Sequence, residues 1–364
     1  MWRIALPMLM AALLVGCSTG VDDDAAAEAD TDDAAAADGT QDDGGAEATA
    51  TGSGGLPEVT DNEEARNLMH NAVEGATIAY VPIVLETDLT SLWATHLEQV
   101  FDMLGAELIV TDPAYDLDLM VRELDSHIND QVDVIIVQNP DVGVLTEQTR
   151  RAHEEGIYVI GINVQGNQSA DAFVGADYVS IAEDLGHRIV EDCEAQGKDK
   201  VAIIDGWGTD SNSISAAEGW EPIFEEAGIE IVSKQQSNYD PSRGNEIAAT
   251  VLQNYPDLCG FAVVWDILAL GVAEAVDAAG LAGEVGVYNF DASETWCDAL
   301  REGLVTAGGA LHAAGIGIGA GMMAQDLLLV GDEPGTRRTM SYVPHTVVDI
   351  DNVDDTSAAC YSSS

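Results

Sequence analysis

The chain has 364 residues, of which 65 are Asp or Glu and 13 are Lys or Arg, and its formal net charge at pH 7 is −52. So acidic a surface excludes nucleic acid as a partner, because nucleic-acid recognition requires cationic side chains that neutralise phosphates. The length is sufficient for two domains or one large one. The seven His are scattered and no CxxC or HExxH spacing occurs, so we predict no metal and no cofactor.

The N-terminus has the pattern of an export signal. Arg3 precedes an apolar run, Ile4–Val15, which has the charge and length typical of a signal peptide. Leu14-Val15-Gly16-Cys17 resembles a bacterial lipobox, which implies cleavage after residue 16 and acylation of Cys17. About twelve apolar residues cannot span a hydrocarbon core of ~30 Å. We expect residues 1–16 to be a lipoprotein signal peptide and the mature chain to be anchored outside the cytoplasm; an ordinary signal peptide that contains Cys17 is the alternative.

Residues 17–60 are predicted to form an acidic tether behind the acylated cysteine. Residues 21–55 contain eleven acids and no base, and Ala, Gly, Thr and Ser fill most other positions. Such a composition cannot bury a core, so the segment is expected to be disordered and extended by self-repulsion. A neutral flexible chain of this length would span roughly 30–35 Å on average.

From Ala76 onward, short apolar runs alternate with helical patterns. The runs predict buried parallel strands, and several of the helical patterns end at a glycine. The first series contains strands Ala76–Val81, Glu107–Thr111, Val132–Val137 and Ile157–Ile162, with helices Leu92–Leu104, Asp118–Asn129 and Val144–Glu155.

A second series begins after residue 175. It contains helices Ile181–Glu194, Ser213–Ala227, Ser242–Asn254, Ile267–Ala279 and Glu294–Glu302, with strands Lys200–Ile204, Ile229–Lys234, Gly260–Val264, Glu284–Asn289 and Val305–Ala310. A long helix of small residues, His312–Val330, and a final strand, Ser341–Val348, complete the pattern. About ten strands in two series predict an α/β fold of two Rossmann-like lobes, each a parallel sheet flanked by helices.

The loops at the strand ends carry the candidate ligand-binding residues, because ligands bind at the carboxyl ends of such strands. These loops are rich in Asn, Asp and Trp and poor in Arg and Lys. Carboxylates and amides hydrogen-bond adjacent hydroxyls, and an indole face packs on the C–H face of a sugar ring. The candidates are Trp93, Asn139, Asn163, Trp207, Tyr239, Trp265, Asp266 and Asp291.

Within this set, Asp266 and Asp291 are expected to accept hydroxyl protons, and Trp93 or Trp265 to stack on the ligand. A purely structural role is open for both acids, since each could cap the helix that follows it.

The order of elements between residues 76 and 351 resembles type 1 periplasmic solute-binding proteins of the ribose/galactose-binding class. The segments that carry the resemblance are Val134-Ile135-Ile136-Val137-Gln138-Asn139-Pro140, Val159-Ile160-Gly161-Ile162-Asn163, Tyr288-Asn289-Phe290-Asp291-Ala292 and Glu218-Gly219-Trp220. The resemblance implies a three-segment hinge, with crossings near Asp177, Leu311 and Tyr342, about which the lobes close. The lobes would be residues 70–176 plus 312–341 and residues 177–311 plus 342–356.

The resemblance also implies a function. A protein of this class binds a small solute and delivers it to the permease of an ABC importer; it is monomeric and is not an enzyme. The family's Asp-Arg after the fourth strand is Asn163-Val164 here, and the binding Arg near Ser213 has no counterpart. Without arginines the site suits a neutral solute, a monosaccharide or polyol, rather than a carboxylate.

Two other functions and the cysteine pairing are left open by the residues. A receptor of the same shape could present its ligand to a signalling partner. Residues 315–320 contain G-x-G-x-x-A, which suggests a nucleotide-dependent oxidoreductase, but the first βα turn, residues 82–88, lacks the glycine that the fingerprint requires. Cys193, Cys259, Cys297 and Cys360 allow three pairings or free thiols.

Overall fold

The computed structural model describes residues 61–166, 170–355 and 360–361. The predicted signal peptide, Cys17 and the tether lie outside these residues. The strands are β1 Thr77–Val81, β2 Glu107–Val110, β3 Val134–Val137, β4 Tyr158–Asn163, β5 Ala172–Ala176, β6 Lys200–Asp205, β7 Glu230–Gln236, β8 Gly260–Val263, β9 Gly286–Phe290, β10 Ala307–Leu311, β11 Thr339–Val343 and β12 His345–Asp349. The helices are α1 Asn62–Asn71, α2 Asp88–Leu104, α3 Leu117–Asn129, α4 Thr146–Glu154, α5 Tyr178–Gln196, α6 Ser211–Ala227, α7 Pro241–Asn254, α8 Asp266–Ala278, α9 Glu294–Arg301 and α10 Ala313–Val330.

The strands form two sheets with the same internal order. The first sheet is β11-β5-β4-β3-β1-β2 and the second is β12-β10-β9-β8-β6-β7. All pairings are parallel except that of β12 with β10. Strands such as β3 and β8 are buried along their whole length, because helices cover both faces of a parallel sheet. The predicted fold of two α/β lobes is confirmed.

The chain passes between the two sheets at three places. It crosses at Asp177 between β5 and α5, at His312 between β10 and α10, and at Pro344 between β11 and β12. The prediction of one continuous strand over Ser341–Val348 is wrong. Val343 pairs with Ala176 in the first sheet and His345 with Leu311 in the second, and the proline between them lacks the N–H that a continuous strand would use.

Two elements had no adequate sequence signal, and a third begins earlier than predicted. Helix α1 buries none of its side chains, so it has no apolar stripe. Strand β5 is fully buried but reads AFVGA, with small residues and a glycine in place of a β-branched run. Helix α2 begins at Asp88, one turn before the predicted Leu92, because the Thr87 hydroxyl caps the Thr90 N–H.

Two disulfides resolve the open cysteine pairing. Cys193–Cys259 joins α5 to the residue before β8, and Cys297–Cys360 joins α9 to the C-terminal segment. The two bonds close loops of similar length, with sequence separations of 66 and 63 residues. Disulfides persist in oxidising compartments, which agrees with an exported protein.

The G-x-G-x-x-A sequence lies inside α10, where it allows close contact with α2. A Cβ added to Gly321 would lie 2.8 Å from Val100 Cγ1, and one added to Gly317 would lie 3.1 Å from Trp93 Cα. Small residues here therefore serve helix packing. Among the described residues, α10 is the one helix long and apolar enough to cross a membrane; its inner face packs on α2, β4 and β5.

Helices α5 and α6 pack on each other through Gly219, and this contact generates a prediction. A Cβ at Gly219 would lie 2.4 Å from Ala182 Cβ and 2.6 Å from the Val179 carbonyl oxygen. We expect Gly219→Ala to lower the free energy of unfolding by about 1–3 kcal/mol through overpacking. Helix propensity alone would favour Ala by about 1 kcal/mol. The sign of the change in the free energy of unfolding therefore distinguishes overpacking from helix propensity.

The measurement is urea unfolding of the wild type and the variant, followed by far-UV circular dichroism. Glu218→Ala is the matched control, because Glu218 is exposed on the same helix and its replacement should change stability by less than about 0.5 kcal/mol. A Gly219→Ala protein as stable as the wild type would contradict the packing account.

Candidate functional site

A cavity of about 320 Å³ lies between the two lobes, at the carboxyl ends of both sheets. In each sheet the chain order reverses at one strand pair, β1 and β3 in the first and β6 and β8 in the second. Connections leave such a pair in opposite directions and open a crevice, the switch point where doubly wound sheets bind ligands. The loops after β1, β3, β6 and β8 all line this cavity. Both switch points therefore open into one space of a size that suits a small solute.

The structure brings together seven of the eight predicted site residues. Those that line the cavity are Asn139, Asn163, Trp207, Tyr239, Trp265, Asp266 and Asp291. The expectation for Trp93 is wrong. Its side chain is fully buried on the same face of α2 as Leu97 and Phe101, and its backbone lies against Gly317 of α10, so it belongs to the core of the first lobe.

An aromatic wall, defined by Trp207, Tyr239 and Trp265, forms the side of the cavity on the second lobe. The Trp207 and Tyr239 ring centroids are 5.0 Å apart and those of Tyr239 and Trp265 5.8 Å apart, both edge to face. Gly206, directly after β6, makes room for the central ring, since a Cβ there would lie 2.2 Å from it. The wall offers flat apolar surface to a ligand.

Asp291 is the most exceptional polar group of the cavity. It follows β9 with a φ of 71° and is 4% exposed, and its Oδ1 has no hydrogen-bond partner among the described residues. Burial raises the pKa of its carboxyl well above the usual range, and the nearby Asp266 carboxyl raises it further. The capping role left open from the sequence falls to Ser293, whose hydroxyl accepts from the Trp296 N–H.

Both carboxylate oxygens of Asp266 accept hydrogen bonds from backbone N–H groups. The Ile267 N–H donates to Oδ1 at 2.7 Å and the Ser293 N–H donates to Oδ2 at 2.8 Å. Burial raises the pKa of this carboxyl, while the bonds from Ser293 and Ile267 act in the opposite direction. Asp266 thus ties the start of α8 to the loop after β9. Its remaining lone pairs are what it can offer a ligand.

The two predicted asparagines lie at strand ends of the first sheet, Asn163 as the last residue of β4 and Asn139 two residues after β3, and both are almost completely buried. Asn163, with a φ of 64°, accepts a 2.8 Å hydrogen bond from the Tyr178 hydroxyl at its Oδ1. Tyr178 is the first residue of α5, directly after the first crossing between the sheets. This bond therefore links the floor of the cavity to the beginning of the second lobe.

Hydrogen bonds also join the lobes at the mouth of the cavity. The Val142 N–H, in the loop after β3, donates to the Thr209 carbonyl after β6 at 3.4 Å. The Ser211 hydroxyl donates to the carbonyl of Gln165, in the loop after β4. These two bonds connect loops that follow strands of different sheets.

Sequence reasoning missed several lining residues, among them Glu86, Asp88, Asp210 and Tyr361. Asp210 caps α6 and accepts from the Ser213 N–H at 2.8 Å and the Tyr239 hydroxyl at 2.9 Å. Glu86 and Asp88 lie in the loop after β1, which is one of the strand-end loops expected to bind the ligand, but they were not chosen as candidates.

Tyr361 reaches the cavity from the far end of the chain. The Glu294 N–H donates to its carbonyl at 3.1 Å, the Cys360 N–H donates to the Ala292 carbonyl at 3.0 Å, and the Cys297–Cys360 disulfide closes the attachment. No sequence pattern carries this placement, because it depends on a disulfide pairing that the spacing left undetermined.

The ionisable Asp, Glu, Lys, Arg and His side chains among the described lining residues are all acidic. Among the described residues that line the cavity are Glu86, Asp88, Asp210, Asp266 and Asp291, and none is Lys, Arg or His. An anionic ligand would find no counter-charge here, whereas hydroxyl groups would find several acceptors.

Comparison with known proteins agrees with this geometry. A family model described as the periplasmic binding protein domain matches residues 78–333, more than two thirds of the chain. The chain is 30% identical over 199 residues to the D-ribose/D-allose-binding protein of Pseudomonas aeruginosa, an alignment that covers 53% of this chain and 62% of that relative. It is 28% identical over 176 residues to the D-allose-binding periplasmic protein of Escherichia coli, which covers 46% and 56% respectively.

The chain thus spans about three fifths of the length of these curated relatives. Among solved structures, an ABC transporter solute binding protein from Agrobacterium vitis bound with α-D-tagatopyranose has a TM-score of 0.71 at 23% identity, covering 79% of this chain and 99% of that one. This structural likeness shows a shared fold and confirms the predicted architecture. With the family match, it establishes that the chain belongs to the type 1 periplasmic binding proteins.

Proposed function

We propose that the protein captures a monosaccharide or polyol outside the cytoplasm and delivers it to the permease of an ABC importer. The observation that carries this proposal is the cavity between the two switch points, where an aromatic wall faces buried carboxylates and amides and the described lining contains no cation. Hydroxyl groups satisfy such acceptors, and the C–H face of a sugar packs on indole. The relatives from Pseudomonas aeruginosa and Escherichia coli are named for ribose and allose, which supports the same class.

Capture would proceed by closure of the lobes about the three crossings. We assign residues 70–176 with 312–343 to the first lobe and residues 177–311 with 345–356 to the second. The third boundary moves from Tyr342 to Pro344, where the chain leaves the first sheet. The bonds at the cavity mouth, Val142 to Thr209 and Ser211 to Gln165, would form in the closed state and break to admit solute.

The first prediction concerns ligand class. In a thermal-shift and tryptophan-fluorescence screen of the chain from Ser18 to Ser364, sugars or polyols should stabilise the protein, by about 2.7 kcal/mol at 100 times Kd. Amino acids and nucleosides should not. Stabilisation by amino acids alone would exclude a sugar receptor, and turnover of the bound compound would show that the protein is an enzyme.

The second prediction concerns Asp291. Asp291→Ala should abolish solute binding in the same assay while the melting temperature of the ligand-free protein stays the same or rises, because Asp291 Oδ1 is buried with no hydrogen-bond partner among the described residues to lose. Asp277→Ala is the control, since Asp277 is exposed on α8. Unchanged affinity of the Asp291→Ala protein would show that the solute binds elsewhere.

The third prediction concerns the C-terminal attachment. Removing Cys297–Cys360 by a double Ser substitution should weaken solute binding about tenfold, because Tyr361 then loses its anchor at the cavity. Removing Cys193–Cys259 is the matched control, since that loop has nearly the same length and should give a similar stability loss of about 2–4 kcal/mol. Equal affinities of the two variants, measured by calorimetry, would argue against a role for Tyr361.

The fourth prediction concerns the membrane anchor, which we propose is the acylated Cys17 followed by the acidic tether. If Cys17 carries lipid, the wild-type protein should be found in the membrane fraction, and detergent should release it. Cys17→Ser should lose lipid labelling, which radiolabelled fatty acid and fractionation would measure together. Equal lipid labelling of the two proteins would rule out Cys17 as the acylated residue.

A further inference from the structure

We propose that the solute carries a protonated amine beside its hydroxyl groups, as an amino sugar or an amino polyol does. The inference rests on the proposed function for a hydroxylated ligand of sugar size and adds a positive charge to it. Its basis is that the cavity holds five carboxylates and, among the described lining residues, no cationic side chain. Carboxylates grouped in a closed space repel one another, and a ligand cation relieves that repulsion.

Two of the five carboxylates accept hydrogen bonds from the protein, although burial raises the pKa of both. Asp210 accepts from the Ser213 N–H, the Ser213 hydroxyl and the Tyr239 hydroxyl, all within 2.9 Å. Asp266 accepts two backbone N–H groups. Donors aimed at a carboxylate favour its ionised form. These bonds oppose the effect of burial, and a cationic group on the ligand would favour the ionised form of both carboxylates further.

Asp291 lacks such donors. Its Oδ1 is buried and without a hydrogen-bond partner among the described residues, and it faces the cavity beside Asp266. Burial and the neighbouring carboxyl raise its pKa well above the usual range. A ligand hydroxyl would supply one donor and no charge. An ammonium group supplies three donors and the counter-charge, and charge-assisted hydrogen bonds are roughly twice as strong as neutral ones.

The aromatic wall favours the same chemistry. Trp207, Tyr239 and Trp265 present π-faces and edges within one cluster beside the carboxylates. Aromatic faces attract cations, and the attraction grows when water is excluded. The wall can thus pack on the ring of the solute and stabilise a charge on its substituent. Aromatic rings together with unpaired carboxylate oxygen form a site for a hydroxylated ammonium compound.

The test is a calorimetric titration of the chain from Ser18 to Ser364 with three matched pairs: D-glucosamine and D-glucose, D-galactosamine and D-galactose, and D-allosamine and D-allose. The titrations are made at a pH where the amines are protonated. In at least one pair the amino sugar should bind about tenfold more tightly than its parent, the gain expected for replacing a neutral hydrogen bond by a charged one.

Two substitutions locate the effect. Asp291→Asn should bring the affinity ratio of amino sugar to parent sugar close to one, because the amide keeps the shape and removes the charge. Asp205→Asn is the matched control: Asp205 is also buried and its Oδ1 has no hydrogen-bond partner in the described part of the chain, but it lies outside the cavity lining, so its replacement should preserve the ratio.

The outcomes separate this inference from the proposed function. If the parent sugars bind as tightly as their amino counterparts, the proposal of an amine-bearing solute is wrong, while the proposed sugar-receptor function stands. A preference for amines that survives in Asp291→Asn would also overturn the assignment of the charge to this carboxylate. If none of the six compounds binds, the inference fails, and the sugar receptor fails as well only if the wider screen of sugars and polyols also finds no ligand.

Discussion

Parallel strand pairing is the constraint on which the rest of this structure depends. Because all strands of a parallel sheet point the same way, every strand-to-helix loop leaves from one edge. Both sheets here have the same internal order, so each has a switch point at that edge, and the three crossings turn the two edges toward each other. Polar residues that are about 150 positions apart in sequence, such as Asn139 and Asp291, thereby share one cavity.

The second constraint is that buried carboxylates need hydrogen-bond donors. The protein supplies them to Asp210 through Ser213 and Tyr239, and to Asp266 through Ile267 and Ser293. It supplies none among its described residues to Asp291 Oδ1. A buried acceptor left in this way is destabilising by about 1–3 kcal/mol, and a ligand that satisfies it recovers that free energy on binding. The unsatisfied group is thus a source of affinity as well as of specificity.

Much of the fold was predictable because strand and helix periodicities are local. The apolar runs gave nearly all strands, and Asn163 and Asp291 were found because each directly follows one. The failures have physical causes that local pattern does not carry. Trp93 lies one helical turn beyond the loop on the core-facing side of α2, and its backbone packs against Gly317 of α10, a helix that is distant in sequence. The strand over Ser341–Val348 was predicted as one because its apolar pattern continues across Pro344, whereas its halves pair with different sheets. Tyr361 reaches the cavity only through a disulfide that spacing could not assign.

The central claim is that the ligand provides the hydrogen-bond partner that Asp291 Oδ1 lacks within the described part of the chain. It is tested most directly by carbon-13 NMR of the aspartate carboxyls, with Asp291 assigned by its loss in Asp291→Asn, titrated with and without the tightest-binding of the six sugars. The ligand-free carboxyl should titrate well above the usual range for aspartate, owing to burial and Asp266. Saturation with the solute should lower that pKa, since a bound donor favours the ionised form. An identical titration curve with and without saturating solute would contradict the account.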